Sequence, residues 1–229
     1  MTSQAGCPPR LDPSAIRGVI FDLDGTLVDS YAPITTSLNH ARSFWRLPAL
    51  SEDEVRRLVG HGLESLVALH VGANRVVDGV RLFREKYNEV FAEGTRALPG
   101  SLETLRSLHE RGYRLAVASN KPARFSSRIL DGLGVLRFLS CVVGPDNASA
   151  TKPDPEMIRS CLAAMEVTAA DALYVGDMVL DVESGARAGL PVLLVEGGSA
   201  DPDELRRTNC PVLSSIGRLC EMLPDHPGG

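Results

Sequence analysis

The stretch that most constrains this chain is Val19-Ile20-Phe21-Asp22-Leu23-Asp24-Gly25-Thr26-Leu27, an apolar run that stops at two carboxylates and a glycine. Three consecutive β-branched or aromatic residues suit a strand buried on both faces, the pattern of a parallel sheet covered by helices. Asp22 falls where such a strand leaves the core, and in open α/β sheets ligands bind at the carboxyl ends of the strands. Gly25 permits a sharp turn or a positive φ directly after the acids. Two carboxylates this close repel each other unless a cation or a shared proton relieves them. Taken alone, the stretch is equally a strand followed by an Asp-rich turn, because Asp and Gly are ordinary turn residues. Its partners downstream decide.

From about residue 28 to 98 the pattern is helical throughout, with no strand signal. Ile34, Leu38, Ala41 and Trp45 recur at helical spacing, and Ser51 with Glu54 forms a capping box before Val55, Leu58 and Val59. Gly60-His61-Gly62 interrupts. Leu63, Leu66 and Val67 begin another helix, and Val76, Val80, Phe83, Tyr87 and Val90 mark a longer one whose stripe reads as packing. Leu98-Pro99-Gly100 closes the block with turn chemistry. Strands and helices then alternate: strands at Arg114–Ser119, Cys141–Val143, Ala172–Val175 and Val192–Val195, with helices between, and then a short apolar piece at Val212–Leu213 between a helix near Asp203 and a last one from about Ser215. The expected fold is α/β, a doubly wound parallel sheet. The expected organisation is a core of residues 1–27 and 101–229 interrupted by an inserted helical cap, residues 28–100, lying above the strand ends.

Of 229 residues, 44% are hydrophobic and 23% charged, as in a globular protein, and the net charge of −5 offers no footprint for nucleic acid or an anionic membrane. Met1 to Pro9 has no apolar signal region, and no stretch approaches the roughly 18 apolar residues of a membrane span. Cys7, Cys141, Cys161, Cys210 and Cys220 lack C-x-x-C spacing and read as core fillers or bystanders. The expectation is a cytoplasmic protein, monomeric or a small homo-oligomer, with no Gly-rich nucleotide loop and no organic cofactor.

Three further stretches end strands or begin helices on the same sheet edge. In Ser119-Asn120-Lys121-Pro122, a hydroxyl, an amide and the N-terminus of the next helix could hold a phosphoryl oxygen, although a Ser/Asn turn explains it as well. In Thr151-Lys152-Pro153-Asp154-Pro155, Pro153 biases Lys152 towards extended backbone and Asp154 can cap the helix after it. A lysine so held is a fixed charge for a phosphoryl or carboxylate oxygen, the alternative being a solvated loop lysine. In Gly176-Asp177-Met178-Val179-Leu180-Asp181, two acids lie one turn apart on one helix face, a repulsion that a cation or a nearby lysine would reverse. Oxygen ligands without Cys or His favour Mg²⁺ over zinc.

The order D-x-D-G-T, then Ser after a strand, then Lys, then G-D-x-x-x-D resembles the haloacid-dehalogenase-like hydrolase superfamily. Ser119-Asn120-Lys121-Pro122, Lys152-Pro153 and Gly60-His61-Gly62-Leu63 look most like its phosphoglycolate-phosphatase-like branch. The resemblance implies Asp22 as nucleophile, forming an aspartyl-phosphate, and Asp24 as acid and then base. It implies Mg²⁺ held by Asp22, Asp177 and the Asp24 backbone carbonyl, with Ser119 and Lys152 on the phosphoryl oxygens. Thr26 and Asn120 fall to substrate positioning, and Asp181 to orienting Lys152 or a metal-bound water. Met178 departs from the Thr or Ser that many relatives carry, which touches only a supporting hydrogen bond. Asp24 itself favours phosphoryl over dehalogenase chemistry.

The expected partner is a small phosphorylated metabolite such as 2-phosphoglycolate, with a phosphosugar mutase, a pyrophosphatase or a non-catalytic binding protein as alternatives. By the same resemblance His61 lies near the substrate. Arg42 and Arg57 are candidates for a substrate carboxylate or simply solvated helix residues. His40, His70, His109 and His226 have no ligand spacing.

Overall fold

In the computed structural model, which describes residues 8–225, Val19, Ile20 and Phe21 are all fully buried, and they part to opposite faces of a parallel sheet. The first strand, β1 (Gly18–Phe21), pairs with β4 (Arg114–Ala118) on one side and β6 (Ala172–Gly176) on the other. With β5 (Leu139–Val143), β7 (Val192–Val195) and β8 (Val212–Leu213), the order is β5-β4-β1-β6-β7-β8, parallel throughout. The chain therefore builds outward from β1 in one direction and then in the other. The carboxyl end of β1 is the point of reversal, where such sheets leave a crevice.

Val19 and Phe21 share a core with Leu105 and Leu108 of α5 (Ser101–Glu110) and Phe125 and Ile129 of α6 (Ala123–Gly132). Ile20 faces the other layer, with Met157, Ile158 and Cys161 of α7 (Glu156–Met165). α8 (Val179–Ala188) closes against β6 and β7, where a Cβ on Gly185 would stand 2.3 Å from Val192. Alternation across two covered faces is what a continuous apolar strand requires.

Between β1 and β4 come α1 (Tyr31–Phe44), α2 (Glu52–Arg56), α3 (Leu63–His70) and α4 (Val76–Gly94). The capping box forms as expected: Glu54 N–H donates to Ser51 Oγ at 3.3 Å and Ser51 N–H to Glu54 Oε2 at 2.7 Å. Phe83, Tyr87 and Phe91 stack at 5.4 and 5.6 Å along α4, and Tyr87 and Phe91 meet Phe125 of α6 edge-on at 5.1 and 5.2 Å. Each such contact adds about 0.5–1.5 kcal/mol beyond area burial. These rings dock the helical segment on the sheet domain.

The absence of strand signal between 28 and 98 needs correction. β2 (Val28–Asp29) and β3 (Arg96–Ala97) form a two-stranded antiparallel ribbon where the chain enters and leaves the helices. Two residues are too few to show a period of two. Among the described residues no helix is long and apolar enough to cross a membrane. Cys161 is buried, and Cys141, Cys210 and Cys220 are half-buried. Cys7, His226, most of the Met1–Pro9 stretch and the end of the Pro224–Gly229 tail lie outside the described residues.

Candidate active site

Asp22 follows β1 directly, its N–H donating to the Val175 carbonyl at 2.9 Å, so the first residue past the strand is still pinned to the sheet. Its side chain is 3% exposed. Oδ2 lies 2.9 Å from Lys152 Nζ, whereas Oδ1 is buried without a partner. Lys152 is itself buried: Nζ also donates to Asp181 Oδ1 at 2.8 Å and to the Tyr174 hydroxyl at 3.2 Å. Burial alone would push this ammonium towards neutrality, but Asp181 and Asp22 hold it charged, well above the ordinary lysine range. The solvated-lysine alternative is thereby removed.

Lys152 is presented by an exchange with Asn120. Its N–H donates to Asn120 Oδ1 at 2.9 Å, and Asn120 Nδ2 donates to Gly60 O at 2.8 Å between α2 and α3. Ser119, buried directly after β4, donates its N–H to Val143 O at 3.0 Å. Asn120 thus couples the lysine loop to the helical segment above it.

Asp177 is wholly buried after β6. Thr26 Oγ1 donates to its Oδ1 at 2.8 Å and Ser199 N–H to its Oδ2 at 2.7 Å. Gly25 and Gly198 crowd the same carboxylate: a Cβ on either would stand 2.4 or 2.2 Å from Oδ2. Asp181, in the first turn of α8, accepts from the N–H groups of Asp177 and Met178 through Oδ2 at 3.1 and 3.0 Å. It therefore holds the two N–H groups that lead into the helix, whose N-cap residue Met178 has no side-chain oxygen. Burial, with Asp181 and Asp22 adding like charge, drives the Asp177 carboxyl well above the ordinary 3.8.

Carboxylate oxygens of Asp22, Asp177 and Asp181 lie within 4.8 Å of one another. An all-oxygen set, with an unpartnered buried oxygen on Asp22 and an acid on Asp177 that burial disfavours, fits a hard divalent cation such as Mg²⁺. Asp181 has both oxygens engaged by Lys152 and backbone N–H groups. Asp177 accepts one bond on each oxygen, from Thr26 and Ser199, but no ammonium sits on it, and the oxygen of the three acids without any partner is Asp22 Oδ1.

The other expected residues are placed as follows. The Asp24 carboxylate stands apart from the triad: Oδ1 accepts from Lys121 Nζ at 2.6 Å and from Ser30 Oγ at 2.5 Å. Thr26, expected against substrate, is fully buried and gives its hydroxyl to Asp177 instead. His61 is exposed, and its neighbours Gly60 and Gly62, not His61, line the cavity in front of Asp22 and Asp24. Arg42 donates to the carbonyls of Pro48 and His70, and Arg57 is exposed. Sequence reasoning passed over Lys121, Ser30, Tyr174 and Ser199. Only Lys121 left a trace, as the residue after Ser119-Asn120.

A cavity opens onto this edge, with Asp22, Asp24, Ser119, Asn120 and Lys121 on one side and side chains of α3, α4 and the α2–α3 loop on the other. The family model of the haloacid dehalogenase-like hydrolases matches residues 19–195, which hold every carboxylate above together with Ser119 and Lys152. The chain belongs to that family. A phosphoglycolate phosphatase from Rhodospirillum rubrum is 38% identical over 193 residues, 80% of each chain. One from Mesorhizobium japonicum is 32% identical over 190 residues, 80% of this chain and 84% of its own. A haloacid dehalogenase-like hydrolase from Streptococcus pneumoniae superposes with a TM-score of 0.83 over 90% of this chain and 98% of its own, at 20% identity, which speaks to the fold.

Proposed function

We propose that this chain is a cytoplasmic, Mg²⁺-dependent phosphatase that hydrolyses a small-metabolite phosphate monoester, 2-phosphoglycolate foremost, through an aspartyl-phosphate on Asp22. The observation that carries the reading is the Asp22 carboxylate, with one oxygen fixed by Lys152 at 2.9 Å and the other buried and unpartnered at the end of β1. An oriented carboxylate with a free oxygen is a ready nucleophile. The phosphoglycolate phosphatases among the relatives support the substrate class.

In this reading an Asp22 oxygen attacks phosphorus, the bond from phosphorus to the leaving oxygen breaks, and Asp24 supplies that oxygen with a proton. Asp24 then takes a proton from water, which attacks the aspartyl-phosphate, releases phosphate and regenerates Asp22. Lys152 and Ser119 balance charge on the phosphoryl oxygens in the transition state. Asp22 and Asp177 would hold Mg²⁺, with the Asp24 backbone carbonyl as a further ligand, and the ion would supply charge neutralisation at the phosphoryl group. Residues 28–100 act as a cap on a core of 1–27 and 101–229, excluding water while the ester is bound.

The test is phosphate release from a panel of monoesters, including 2-phosphoglycolate and also pyrophosphate, with Mg²⁺ and with EDTA, beside Asp22→Asn. Release that needs the metal and falls by at least about 10³-fold in Asp22→Asn is expected, since removal of a nucleophile eliminates the covalent route. Release unchanged in that variant, or conversion of phosphosugars to isomers with little free phosphate, overturns the reading.

A further inference from the structure

The cavity in front of Asp22 and Asp24 has two unlike walls. Ser119, Asn120 and Lys121 make the sheet side polar, whereas α3 and α4 contribute hydrocarbon through Leu63, Leu66, Phe83 and Tyr87. Among the described residues, Arg84 is the one charged side chain that the helical segment brings to this lining. Its nitrogens differ. Nη2 donates to Glu64 Oε1 at 3.2 Å, with both side chains substantially exposed. Nε, by contrast, is buried and has no hydrogen-bond partner.

A buried guanidinium N–H without an acceptor is costly, and a ligand oxygen would relieve it. The other cation in the lining is already committed. Lys121 Nζ lies 2.6 Å from Asp24 and 3.3 Å from Ser30 Oγ, and 5.3 Å from the centre of the Tyr87 ring. Burial opposes its charge, but Asp24 more than offsets this and holds Lys121 above the ordinary lysine range. With Asp22 and Asp24 lining the same cavity, a second anionic group on a substrate meets repulsion unless a cation receives it. Arg84 has the unspent donor.

We propose that Arg84 recognises a carboxylate on the leaving group, so that the substrates are phosphate monoesters of small hydroxy acids. The phosphate sits at Asp22, the carboxylate at Arg84, and the carbon atoms between them against Leu63, Leu66 and Phe83. The inference rests on the phosphatase reading above and deepens it. Charge-assisted bonding from a guanidinium favours a carboxylate over an uncharged group of the same size. Arg42 and Arg57, for which the sequence left open a carboxylate-binding role beside that of solvated helix residues, both lie outside the lining.

The test compares 2-phosphoglycolate with 2-hydroxyethyl phosphate, which replaces the carboxylate by an alcohol on the same carbon frame. Both are assayed with Mg²⁺ on one preparation each of wild type, Arg84→Met and Arg84→Lys, so that the ratio of kcat/KM is independent of the folded fraction. Wild type is expected to favour 2-phosphoglycolate by about tenfold or more, the scale of one charge-assisted hydrogen bond. In Arg84→Met the ratio falls to within about twofold of unity, the loss appearing in KM for 2-phosphoglycolate, and Arg84→Lys recovers part of it. A wild-type ratio near one, or an unchanged ratio in Arg84→Met, overturns the inference while leaving phosphatase chemistry intact. If wild type releases phosphate from neither ester nor from p-nitrophenyl phosphate, the phosphatase reading has failed and the inference falls with it.

Discussion

Removing the Lys152 ammonium is the perturbation that weighs most on this site. Nζ stands 2.9 Å from Asp22 Oδ2 and 2.8 Å from Asp181 Oδ1, with all three side chains almost sealed from solvent. At an effective dielectric constant of ~20, a unit pair at that separation attracts by about 6 kcal/mol before desolvation. Much of this is offset by taking three charges out of water. Lys152→Met keeps comparable bulk but leaves Asp22, Asp177 and Asp181, whose oxygens lie within 4.8 Å of one another, without the charge that balances them. Truncating one partner of a buried ion pair costs about 3–5 kcal/mol. In a chain of this size that lowers Tm by about 6–20 °C. Asp181→Asn placed on top of Lys152→Met removes one of the stranded charges and is expected to return about 1–3 kcal/mol. Thermal unfolding followed by circular dichroism, in EDTA at pH 7.5, measures both. A Lys152→Met protein within 2 °C of wild type on the order of experimental error, or strict additivity of the two substitutions, would refute the reasoning.

Two further outcomes follow from the same cluster. Asp177 takes up its proton more readily in the folded chain than at the ordinary value of 3.8, because of burial and the like charges of Asp181 and Asp22. The folded state then binds more protons than the unfolded one, so this group's contribution to stability falls as pH rises from 3.8 through the raised value. Added Mg²⁺ should therefore raise Tm more at pH 7.5 than at pH values near 5, on the order of a few degrees, and an equal shift at both would contradict it. Gly25→Ala should lower phosphate release by more than about tenfold and destabilise by about 1–3 kcal/mol. The new Cβ, at φ +82°, would stand 2.4 Å from Asp177 Oδ2 and 2.5 Å from the Tyr31 hydroxyl. Wild-type activity and melting in that variant would show that the turn has room to yield.

Much of the architecture was legible because its signals are local. Val192–Val195 is recovered residue for residue, and the capping box at Ser51 and Glu54 forms. The ribbon of β2 and β3 was not legible, since two-residue strands carry no periodicity. The stripe on α4 was legible as buried but not as two-sided: Phe83 and Tyr87 pack against neighbours and also line the cavity. Which face a buried aromatic serves depends on what docks there, and α6 lies far along the chain.

What the sequence by itself determined was the chemistry available at the strand ends: Asp22 and Asp24 after β1, Ser119 after β4, Lys152 before α7, and Asp177 and Asp181 around the start of α8. Their order along the chain, each after an apolar run or before a capped helix, was enough to place them on one sheet edge. Only the tertiary structure decided how they divide. Lys152 could pair with Asp22 and Asp181 because burial makes unpaired charge costly and the sheet brings these residues within 3 Å. Thr26 was drawn to Asp177, and Asp24 to Lys121, for the same reason. Arg84 entered the cavity because α4 turns one face towards the sheet domain, a placement that no spacing within the helix could specify.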